Sequence, residues 1–141
     1  MKVELRLNDG VHFSAFTESG QRLEIDGSET VGGQDRGARP MEMVLAALAG
    51  CSSIDVMSTL KKMRQPVSDC RIEVEGERAD AVPAVFSDIR MTFVVSGHRL
   101  DSAKVERAVG LAVEKYCSVG KMLESTARIR HAVRIIPQKE A

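Results

Sequence analysis

The chain has 141 residues, 43% of them hydrophobic and 28% charged, with Lys+Arg and Asp+Glu at 20 each and a formal net charge of zero. Such a composition excludes a disordered chain, and the balanced charge gives no global field to gather nucleic acid or an anionic membrane. Aromatic residues at 4% leave no basic, aromatic-studded patch for nucleic acid either.

One domain over residues 1–141 is the simplest organisation. The longest apolar run, Val44 to Ala49, is far shorter than the roughly 20 residues of a bilayer-spanning helix. The N-terminus MKVELRLNDG has no apolar stretch of the signal-peptide kind, so a cytoplasmic protein is expected. VELRL (3–7), VHFSAFT (11–17) and RLEID (22–26) alternate or are β-branched, and Asn8-Asp9-Gly10 and Ser19-Gly20 separate them, which predicts a three-strand meander. Gly27 to Arg39 is a surface loop rich in glycine and charge. Pro40 suits the first turn of a helix that runs to about Met63, with Lys61, Lys62 and Arg64 at its C-terminal end. Val44, Ala47, Leu48, Cys51, Ile54 and Val56 form its expected apolar band. CRIEVEGE (70–77) and DIRMTFVVSG (88–97) read as two longer strands. Asp101 or Ser102 caps a helix carrying Val105, Ala108, Val109, Ala112 and Val113 up to Tyr116. A short helix follows Cys117, and RIRHAVRII (128–136) is a last strand. The order βββ-α-ββ-αα-β makes an α+β chain.

Three cysteines in a reducing compartment leave buried packing, metal binding or redox chemistry as their uses. Cys51 sits mid-helix among small residues, where a lone cysteine is by default a small buried hydrophobe. Cys117 falls where one helix stops and another begins, so the free N–H groups of Ser118, Val119 and Gly120 are available to a thiolate. Cys70 opens a strand and is expected to be incidental.

PMEMVLAALAGCSSIDV, followed later by YCSVGKML, resembles the OsmC/Ohr family of osmotically inducible and organic hydroperoxide resistance proteins, in its general OsmC-like subgroup. The resemblance covers nearly the whole chain. It implies an α+β fold of intertwined homodimers, with two central helices wrapped by sheets. It also implies a thiol peroxidase that reduces organic hydroperoxides, and hydrogen peroxide less well, with no cofactor and no metal. Cys51 then matches the attacking cysteine, oxidised to a sulfenic acid, and Cys117 the resolving cysteine that closes a disulfide with it. A dithiol reductant is the implied recycling partner.

Active hydroperoxide reductases of this family place a Glu directly after the helix-initial Pro, where it holds an activating Arg. Here that position is Met41 and the acid is Glu42. Nine residues at about 100° each put Glu42 on the side of the helix opposite Cys51 and roughly 13 Å along its axis. It therefore serves a cysteine of another subunit or faces solvent. Among Arg6, Arg22, Arg36 and Arg39, the last two, on the loop before the helix, are the candidates for the activating cation. Cys117 is followed by Ser118 instead of the proline common in the reductases. Two other readings compete with the peroxidase. One is a zinc site of Cys51 and Cys117 with His12, His98 or His131, which lacks the usual ligand spacing. The other is a non-catalytic homodimer that binds a small apolar ligand.

Overall fold

Tight turns between alternating segments produce the N-terminal meander. In the computed structural model, which describes residues 1–137, β1 (Val3–Asp9), β2 (His12–Thr17) and β3 (Arg22–Ile25) form an antiparallel sheet in that order. Gly10 supplies the left-handed residue that the first turn needs, at φ 57°. The remaining elements are α1 (Pro40–Lys62), β4 (Val67–Arg78), β5 (Phe86–Gly97), α2 (Ser102–Leu111), α3 (Ser118–Leu123) and β6 (Arg128–Pro137). The fold is α+β with the expected order of elements. The chain divides into two compact units, Met1–Val44 and the part from Leu45 onward, and α1 begins in the first.

In the first unit, the register places Val3, Leu5 and Leu7 beside Thr17, Ala15 and Phe13, so one sheet face is apolar. The other face is polar. There Glu24 pairs with Arg22, lies 2.7 Å from His12 Nε2 and accepts from the buried Ser14 hydroxyl at 2.9 Å. Bonds from Arg22 and then His12 hold its carboxyl below the usual range.

The loop after β3 is organised by one carboxylate. Asp26 is 0% exposed and accepts the backbone N–H of Gly27 on Oδ1 at 2.8 Å, and those of Gln34 and Arg36 on Oδ2 at 3.0 and 3.1 Å. The chain folds over so closely that a Cβ on Gly33 would fall 1.7 Å from the Gly27 carbonyl oxygen, which only glycine permits. The Arg36 N–H foremost, helped by those of Gln34 and Gly27 and by the Arg36 charge, lowers Asp26 to about 2 against the effect of burial.

In the second unit, β5 is the middle strand, antiparallel to β4 and parallel to β6. Its alternation sends Ile89, Met91, Phe93 and Val95 into the core. Val105, Ala108, Val109 and Ala112 join them there, at the helical spacing read from the sequence. Asp101 caps α2 by accepting from Ala103 and Lys104 N–H, as expected.

Two details differ from the sequence reading. The buried line of α1 is Leu48, Ser52, Val56 and Leu60, a row of i, i+4 steps, while Ile54 is 72% exposed and Ala47 is exposed too. Apolar residues surround this helix, so periodicity could not single out the inward face. By length and composition α1 even passes as a membrane span, as the core helix of a globular protein also does. The second helix does not run on regularly to Tyr116. After Leu111 it widens into one π turn, Ala112–Tyr116, closed by Cys117 N–H donating to Ala112 O at 2.9 Å.

Phe93→Ala should destabilise the protein by about 3–5 kcal/mol in urea unfolding, because a fully buried ring would leave a cavity. Asp26 contributes stability above the pKa of the unfolded carboxyl, near 4, that disappears as pH falls toward its folded value of about 2. Asp26→Asn should therefore melt well below wild type at pH 7, and the gap should narrow between pH 4 and pH 2 in thermal melts.

Candidate functional site

Two independent backbone features bring Cys51 and Cys117 together. Cys51 stands on α1 next to Ser52, a member of its buried row, and is half-buried. Cys117 closes the π turn, and its extended conformation, φ −71° and ψ 107°, interrupts the helical path. Its side chain then caps α3, with Sγ accepting the Gly120 N–H at 3.3 Å. The sequence expectation that N–H groups after Cys117 reach its sulfur is met at Gly120.

The Cys117 sulfur has a dense surround. The Ser52 hydroxyl, fully buried, is 2.9 Å from the Leu48 carbonyl and 3.3 Å from Cys117 Sγ, and donates to one or the other. A Cβ on Gly120 would lie 3.4 Å from the sulfur and 3.5 Å from Leu48 Cδ1, so the packing there is already at contact. Burial first, then hydrogen bonding and charge from the adjacent Cys51, push the Cys117 thiol up, while Ser52 and Gly120 pull it down. The net direction is up, which keeps Cys117 a neutral thiol beside Cys51. Both cysteines are free thiols.

Ser52 is the site residue that sequence reasoning passed over. It falls four residues from both Leu48 and Val56, which puts a hydroxyl in an otherwise apolar buried row, and that shows only once the structure has identified the row. Cys70 is elsewhere, on β4 opposite Val95, with its thiol raised by burial and then by Asp69.

The other candidates belong to the first unit and have partners there. Arg36 approaches the Asp9 carboxylate at 3.4 Å and Asp26 at 3.5 Å. Arg39 donates from Nη1 to Asp35 at 2.9 Å. Glu42 accepts the Arg39 backbone N–H at 2.8 Å, which makes it the acidic half of a capping box for α1. Among the described residues no three His, Cys, Asp or Glu side chains gather as a metal would require.

Known proteins share this arrangement of elements. A family model described as OsmC-like protein matches residues 32–132. Protein YhfA of Escherichia coli K12 is 40% identical over 96% of this chain and 98% of its own length. The crystal structure of a hypothetical protein from Aquifex aeolicus VF5 superposes with a TM-score of 0.86 at 30% identity, over 98% of this chain and 97% of that one. An organic hydroperoxide resistance protein OsmC from Legionella pneumophila shares the fold at a TM-score of 0.70 and 15% identity, over 95% and 97% of the two chains. With a model match over most of its length, a relative as similar as YhfA and the two-sheet fold in common, this chain belongs to the OsmC-like protein family.

Proposed function

We propose that the protein is a thiol peroxidase that reduces organic hydroperoxides, with Cys51 as nucleophile and Cys117 as resolving thiol. The observation that carries this reading is the meeting of two free cysteines, distant in sequence, of which one is buried and the other half-buried. The name of the Legionella protein, organic hydroperoxide resistance protein, supports the choice of substrate class. In the proposed cycle, the Cys51 thiolate attacks one peroxide oxygen and the O–O bond breaks. The alkoxide leaves, takes up a proton and departs as an alcohol, and Cys51 becomes a sulfenic acid. Cys117 then attacks that sulfur, the S–S bond forms and water leaves. A thiol held neutral until this step does not compete for the peroxide.

The surroundings also argue for modest speed. Met41 occupies the position of the family acid, and the guanidinium groups of Arg36 and Arg39 are engaged with Asp9, Asp26 and Asp35. A rate about 10²-fold below a dedicated hydroperoxide reductase is the expected outcome of losing one preorganised electrostatic contact.

The same reading includes a homodimer. Ile54 and Met57 on α1, and Val3, Leu5 and Leu7 on β1, are large apolar side chains that one copy of the chain leaves exposed. Only 22% of the most apolar stretch of α1 is buried within the chain. Sedimentation at micromolar concentration should give a dimer, and a monomer would remove this part of the proposal.

An alkyl hydroperoxide should convert the reduced protein to a form lacking two thiols, seen as a mobility shift in non-reducing electrophoresis. Cys51→Ser should abolish peroxide consumption. Cys117→Ser should oxidise once, accumulate a sulfenic acid that reacts with dimedone, and proceed to sulfinic acid in excess peroxide. Cys70→Ser should behave as wild type. Equal peroxide consumption by wild type and Cys51→Ser would overturn the reading.

A further inference from the structure

Cys117 can attack only as a thiolate, yet it is 4% exposed and its surroundings hold it neutral. The polar groups around its sulfur differ in what they can do. The Gly120 N–H, 3.3 Å from Sγ, is a donor fixed by the backbone. The Leu48 carbonyl, 3.9 Å away, can only accept from the thiol. The Ser52 hydroxyl, 3.3 Å away, changes role by rotating. Beside a neutral thiol its proton goes to the Leu48 carbonyl at 2.9 Å, which leaves its oxygen free to accept from the S–H. Beside a thiolate the same proton turns to the sulfur, because a hydrogen bond to a charged acceptor is the stronger one. The carbonyl it leaves stays within the hydrogen-bond ladder of α1.

We propose that Ser52 is the positioning residue of the resolving step: its hydroxyl holds Cys117 Sγ beside Cys51 and donates to that sulfur as it attacks. The step presupposes the peroxidase reading, with Cys51 already a sulfenic acid when it begins. An electron pair of the Cys117 sulfur forms the S–S bond, and the S–O bond on Cys51 breaks. The hydroxide that leaves takes up the proton that Cys117 gave away and departs as water, so no further oxidant or reductant enters. Oxidation of Cys51 also removes the thiol whose bonding and charge help to keep the proton on Cys117, which leaves burial opposed by Ser52 and Gly120. The hydroxyl acts through the thiolate population. A thiol made more acidic by a hydrogen bond ionises more but is a weaker nucleophile by about half as much on a logarithmic scale, so about half of the gain survives as rate. For a hydrogen bond to a charged atom that remainder is about 5- to 15-fold.

The test mixes reduced protein with one equivalent of tert-butyl hydroperoxide and follows, by quenching and mass spectrometry, the passage from sulfenic acid to disulfide. Ser52→Ala should close the disulfide about 5- to 15-fold more slowly than wild type near neutral pH and accumulate more dimedone adduct on Cys51. The deficit should shrink toward pH 10, where Cys117 ionises without the hydroxyl. Looser packing would instead slow closure equally at every pH, so a pH-independent deficit, or none, would overturn the role. Ser52→Thr, which keeps the hydroxyl, should retain the wild-type pH profile. In a Cys51→Ser, Cys70→Ser background, which needs no peroxide, Ser52→Ala should move the appearance of Cys117 thiolate absorbance to higher pH, and an unchanged titration would also overturn the role. If wild-type protein consumes no peroxide, the peroxidase reading falls. Ser52 is then decided by that titration and by diamide, whose adduct on Cys51 is closed by Cys117 with a substituted hydrazine leaving in place of water. Slower closure in Ser52→Ala would sustain the role there, and equal closure would end it.

Discussion

The hydroxyl of Ser52 lies between the Leu48 carbonyl of its own helix and the sulfur of Cys117, and the packing of α1 against the start of α3 is organised around that contact. It gives α1 a polar point in an otherwise apolar buried row, at the place where α3 begins. A buried hydroxyl without a partner would be costly, and here it has two acceptors within reach. The carbonyl satisfies it while Cys117 is a neutral thiol. The same hydroxyl is 3.3 Å from the sulfur, so one buried polar group satisfies its own helix and borders the Cys117 thiol.

The first unit depends on a different kind of constraint. Its loop has many glycines and few apolar side chains, so burial cannot fix its shape. Asp26 does so through three backbone N–H groups and the nearby Arg36. A carboxylate bonded in this way is held in its charged form, and the loop takes its shape from that charge. Arg36 and Arg39 are presented from this ordered loop, and Glu42 is occupied in starting α1.

Much of this was legible in the sequence. Strands marked by alternation and bounded by glycine turns, such as VELRL and CRIEVEGE, were found where expected, because period and turn chemistry are local properties. Pro40 and Asp101 marked helix starts for the same reason. The inward face of α1 was not legible, since apolar and small residues surround it and only its neighbours decide which row is buried. The π turn was equally hidden, because AVEKY has an ordinary helical composition and the widening becomes visible only in the bond from Cys117 to Ala112. Within the site, the motifs pointed to Cys51 and Cys117 but not to Ser52. Its importance comes from a contact across 65 positions of chain that no local pattern encodes.

The π turn has a consequence for how this chain can vary. It holds one residue more per turn than the helix it continues, so it is an insertion absorbed without a loop. Removing a single residue from Ala112–Tyr116 would restore regular winding and leave the facing of Cys117 nearly unchanged, because the extra residue adds width to one turn and almost no rotation. The segment whose side chains Glu114, Lys115 and Tyr116 are exposed is thus one where the chain can gain or lose a residue without displacing the thiol.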